Sequence, residues 1–127
     1  MLTEKDYCDY NTCVALREIG CRIKTEWYIH QPSYERGSCY LCFGIPRETS
    51  VLDECDYIPR LSLYEAHKFL REEKGLHIEI DRVGYDWLVS VIETKNNLCL
   101  DIKNRCQSYE EALSEGIKEA VKILKEK

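Results

Sequence analysis

The sequence predicts an α+β fold, written α-β-β-α-β-β-β-α, with an antiparallel sheet and helices packed on one face. Three observations predict it. Two segments carry apolar residues at helical spacing behind a capping signature. Three successive segments between them alternate apolar and polar residues with the period of a strand. The connections are short and hold Gly or Asn where tight turns need them. With 127 residues and no long polar linker, the chain reads as one domain spanning 1–127, best defined over 61–127.

The last helix is the clearest element. From Ser108, residues Tyr109, Ala112, Leu113, Gly116, Ile117, Ala120, Val121 and Leu124 form one apolar stripe. Ser108 and Glu111 have the spacing of a capping box, and Lys122 and Lys125 sit at the negative end of the helix dipole. A second helix runs from about Ser62 to Lys74, capped by Ser62 with Glu65 and closed by Gly75. Its face is Leu63, Ala66, His67 and Leu70, which makes His67 a packed, hydrogen-bonded histidine. A shorter helix spans Thr12 to about Ile19, ended by Gly20. Between the two longer helices lie strands over Leu76–Asp81, Tyr85–Ile92 and Leu98–Lys103. Gly84 turns the first pair, and Asn96-Asn97 turns the second.

The first half carries a strand over Arg22–His30, a turn over Gln31–Gly37 and a strand over Ser38–Gly44. Together these read as a hairpin. Ile45–Pro59 reads as a solvated loop holding Asp53, Glu54 and Asp56.

Composition excludes several classes. Hydrophobic residues make up 44% and charged residues 32%, a globular balance. No apolar run approaches the roughly 20 residues of a membrane helix, and MLTEKDYCDYN is polar, so a cytoplasmic protein is expected. The net charge is −5, and neither half is basic, which opposes binding to a nucleic-acid backbone. The order α-β-β-β-α also occurs in double-stranded-RNA-binding domains, but these need a Lys-rich helix start, whereas Ser108–Glu115 is acidic.

The eight cysteines read mostly as reduced thiols, because the domain is large enough to bury a core without staples. Cys39-x-x-Cys42 is the one close pair. A zinc site there would need further ligands from Cys8, Cys13, Cys55 or His30, and no second CxxC exists. No metal, cofactor or catalytic residue is therefore assigned. His30, His67 and His77 show no spacing that marks a Cys-His catalytic pair. No phosphate-binding glycine loop is present.

Phe69-Leu70-Arg71-Glu72 leading to His77-Ile78-Glu79-Ile80, the aromatic strand at Tyr85–Trp87 and the helix Ser108–Leu124 together carry a resemblance. They resemble small uncharacterised proteins of Bacteroidetes genomes and their phages, which end in a helix of the type SYEEALxxGIxEALKLI. A weaker resemblance, through Tyr85–Ile92 and Ser108–Leu124, is to HicB-like antitoxins with a partial RNase H-like core. These resemblances imply a phage or mobile-element accessory protein acting on a host system, and they transfer no catalytic motif.

The expected function is non-enzymatic protein binding or regulation. Trp27, Tyr28, Tyr34 and Tyr40 would form the partner-binding surface, since Tyr and Trp are enriched at interfaces. A homodimer joined through sheet edges or the terminal helix is part of the same expectation. A different reading is a small-ligand or nucleotide-binding protein, with His77, Tyr85 and Trp87 stacking a base. A zinc-binding module is the further alternative.

Overall fold

The structure is a computed structural model and describes residues 3–30, 40–43 and 57–126. It is an α+β fold with antiparallel sheets. Its described elements divide into two compact units, residues 9–61 and residues 3–8 with 62–126.

The smaller unit opens with helix α1 (Tyr10–Glu18). Asp9 caps it by accepting from the Thr12 amide at 2.8 Å. Strands β1 (Trp27–His30) and β2 (Tyr40–Phe43) pair antiparallel, as the hairpin reading expects. The turn expected over Gln31–Gly37 lies outside the described residues. So do residues 45–56 of the expected loop, including Asp53, Glu54 and Asp56. The end of that loop departs from expectation: Tyr57–Pro59 is strand β3, paired to the other side of β1. Three residues are too few to show a period, and Pro59 is compatible with an edge strand because it has no amide to donate. α1 lies against β3, where Arg17 Nη1 donates to the Tyr57 carbonyl at 3.4 Å. Leu16, Cys13, Tyr28, Ile29 and Ile58 are buried in this unit.

The larger unit begins with a short 3-10 turn (Glu4–Asp6), then helix α2 (Leu63–Glu73) and strands β4 (Leu76–Val83), β5 (Asp86–Glu93) and β6 (Leu98–Cys106). Helix α3 (Tyr109–Lys125) follows. The sheet is a meander in the order β4-β5-β6. Ser62 and Glu65 form the expected capping box at 3.0 and 3.1 Å. The α3 cap differs in one bond. Ser108 Oγ accepts from the Glu111 amide, but Glu111 reaches back one residue further and accepts from Gln107 N at 2.9 Å.

The helices pack on the sheet face that carries Leu76, Ile78, Val89 and Val91. The meeting surface on α3 is built from small residues. Ala112, Gly116 and Ala120 are all buried. A Cβ placed on Gly116 would lie 2.6 Å from Ile78 Cγ2 and 2.8 Å from Val89 Cγ2. Both methyls belong to β-branched side chains on the sheet, which have little rotamer freedom to withdraw.

Gly116→Ala should therefore destabilise the protein by about 1–3 kcal/mol, the usual cost of overpacking a core. On an exposed helix the same change would stabilise by about 0.5–1 kcal/mol. Urea denaturation of the two proteins measures the sign.

Candidate functional site

The larger unit carries a cleft of about 220 Å³ lined by Asp6, Ser62, Tyr64, His67, Tyr109 and Glu110, with Leu63 and Leu113 as apolar wall. Local structure explains how each residue arrives there. The Ser62 capping box starts α2 at Leu63, so Tyr64 and His67 lie one turn apart on one side of the helix. The Ser108 cap starts α3 at Tyr109, which brings Tyr109, Glu110 and Leu113 to the same place. Asp6 comes from the 3-10 turn. Its Oδ2 accepts from Thr3 N at 2.8 Å and from Thr3 Oγ1 at 3.3 Å.

Two exposed aromatics stand at the rim. Tyr64 is 68% exposed and Tyr109 46%. Tyr109 was expected on the buried stripe of its helix. It sits instead at the first helical position and meets the Trp87 ring edge-on, at 5.7 Å between centroids. The Arg82 guanidinium lies 5.1 Å above the same indole, so a cation, an indole and a phenol run in sequence towards the cleft.

His67 is hydrogen-bonded, as its place on the helix predicts. Its Nε2 accepts from the Ile78 amide at 3.3 Å, which puts the proton of the neutral ring on Nδ1. Burial lowers its pKa to about 4, with smaller contributions from the His77 ring and the Arg71 guanidinium. The His77 ring lies 5.2 Å away, tilted by 41°. At neutral pH His67 is thus an uncharged wall whose basic lone pair is already engaged.

The residues expected to form sites are distributed differently. Trp27 and Tyr28 are neighbours on β1 and point to opposite faces. Trp27 is 43% exposed, whereas Tyr28 is buried. Tyr28 therefore packs into the core of its unit, on the central strand of its sheet. Tyr40 lies on β2 opposite His30. Tyr34 lies outside the described residues. Leu41, opposite Ile29, is exposed on the Trp27 face.

His77, Tyr85 and Trp87 do not come together as a base-stacking pocket. Trp87 pairs with Arg82 and so lies on the helix-covered face, while His77, an odd number of residues from Arg82, lies on the other. Tyr85 stands 94% exposed beside Gly84 in the intervening turn. Cys39 lies outside the described residues, and Cys42 is on β2. Cys8, Cys13, Cys21 and Cys106 are buried, and Cys99 is exposed. Burial and the nearby Glu111 and Glu115 carboxylates push the Cys106 thiol up, away from reactivity. Among the described residues no group of three His, Cys, Asp or Glu could hold a metal ion.

Sequence reasoning missed Tyr64, Asp6 and Glu110 as members of one site. One signal pointed to Tyr64: it is a large aromatic off the apolar stripe of an amphipathic helix.

The folded-state pKa of His67 lies below its ordinary value of 6.5, so the unfolded chain binds the extra proton first. The stability contributed by neutral His67 is present above pH 6.5 and is lost as pH falls towards 4. His67→Gln, which keeps an acceptor for the Ile78 amide, should flatten this part of the profile. Denaturation midpoints at pH 7.5 and 4.5 for both proteins measure it, and equal slopes would refute the assignment.

No protein-family model matches this chain, and no curated protein or solved structure shows significant similarity to it.

Proposed function

We propose that this protein is a non-enzymatic protein-binding or regulatory module that works by covering part of a partner protein's surface. The observation that carries this reading is the cleft between Tyr64 and Tyr109. At about 220 Å³ it is smaller than the roughly 300–1,000 Å³ of pockets that enclose whole small-molecule ligands. It is of a size to take one protruding side chain. Tyrosine at the rim of such a notch supplies contact area at low entropy cost, with a hydroxyl left for water or a partner's backbone. The carboxylates of Asp6 and Glu110 at the same rim add a charge preference for a basic side chain.

The state of His67 supports a non-catalytic role. The one imidazole in the cleft is neutral, and its lone pair is spent on a backbone amide, so it is a poor general base. The resemblance to phage and mobile-element proteins of Bacteroidetes extends the proposal to a partner within a host system. Of the first-half residues expected to bind partners, Trp27 is exposed, and Leu41 is exposed on the same face of the β1–β2 hairpin.

Tyr64→Ala combined with Glu110→Gln tests the proposal, since neither side chain belongs to the core. Immobilised wild-type chain should retain a specific polypeptide from a host lysate, and the double variant should retain at least about tenfold less. Equal retention by a variant with unchanged circular dichroism would sink the cleft as the binding surface. Trp27→Ala run in parallel separates the two candidate surfaces.

A further inference from the structure

We propose that the outer edge of β6 is a self-recognition edge, on which β6 of a second copy pairs antiparallel about a two-fold axis at Ile102. This rests on different residues from the cleft and stands apart from the partner-binding proposal.

β6 is the terminal strand of its sheet, with β5 on one side and no strand on the other among the described residues. An unpaired strand edge presents backbone donors and acceptors to a chain of matching register, although on β6 the Asp101 carbonyl also accepts from the Cys99 thiol at 3.5 Å. It also holds apolar side chains at the surface: Leu98 is 54% exposed and Ile102 is 60% exposed. Natural edges are blunted by bulges and by charges, and β6 has both. What matters is where they fall.

The two register shifts lie between Val91 and Ile92 and between Trp87 and Val89 on the partner strand β5. They leave a regular central run in which Asp101, Ile102 and Lys103 face Val91, Ser90 and Val89. The charges in this run are arranged as opposites around its centre. With the axis at Ile102, Asp101 of each copy faces Lys103 of the other, twice, and the two Ile102 residues face each other. An axis one residue earlier would set Asp101 against Asp101. An axis one residue later would set Lys103 against Lys103. Registers in between would turn the helix-covered face of one sheet onto the outer face of the other. Among these, only the Ile102 axis puts opposite charges together and keeps the two sheets in phase.

Lys103 is placed to hold the second carboxylate. Its Nζ bonds Glu115 Oε2 of α3 at 2.7 Å, yet its side chain remains 49% exposed. In the pair it would lie between Glu115 of its own chain and Asp101 of the second copy. The short regular run also limits affinity, so the association should depend on concentration.

Asp101→Lys and Lys103→Asp each make this centre repel itself, and each complements the other. Sedimentation equilibrium of the full chain at submillimolar concentration should give twice 15.0 kDa for the wild type and 15.0 kDa for either variant alone. An equimolar mixture of the two variants should return to the dimer mass. Circular dichroism confirms that each variant is folded. A monomeric wild type would overturn the proposal. So would folded variants that remain dimeric alone, or a mixture that fails to associate.

Discussion

The close approach of α3 to the sheet at Gly116 is the constraint on which the larger unit depends. The missing side chain lets the helix settle onto Ile78 and Val89, and the alanines at 112 and 120 carry the same contact one turn to either side. Seated there, Ile117, Leu113 and Val121 are buried, and the helix rests against all three strands and α2. The Ser108 cap lies just beyond the end of β6, so Tyr109 emerges beside Trp87.

The cleft follows from the same placement. Two capped helix starts and the 3-10 turn meet at one end of the unit. Ser62 and Ser108 each accept from one first-turn amide there, and Glu65 and Glu111 add carboxylates beside them. The site is left with a neutral imidazole, two leucines, two phenols and a pair of carboxylates.

Much of the larger unit was legible from local pattern because its signals are local. The Ser62–Glu65 box, the Gly75 stop and the stripe from Ala112 to Val121 all act within a few residues of themselves. The Gly84 and Asn97 turns, both at positive φ, were visible for the same reason. What escaped depends on pairing at a distance. β3 is too short for a period, and its existence is decided by β1. Whether Tyr28 faces solvent depends on strands on both sides of it. The grouping of His77 with Trp87 failed on strand register, since one odd step in alternation separates two faces of a sheet. The cleft residues were individually visible, but they come from segments about 55 and 45 residues apart, brought together by the packing of α3.

The bond from the Ile78 amide to His67 closes a point on the opposite margin of the meander. That amide points away from β5 and would otherwise be open to any incoming strand. An imidazole spends it within the chain. A three-stranded ribbon with both borders receptive can add copies head to tail without limit and grow into fibres. With that amide engaged from inside the chain, the β4 border is one donor less receptive to an added strand, which disfavours such growth.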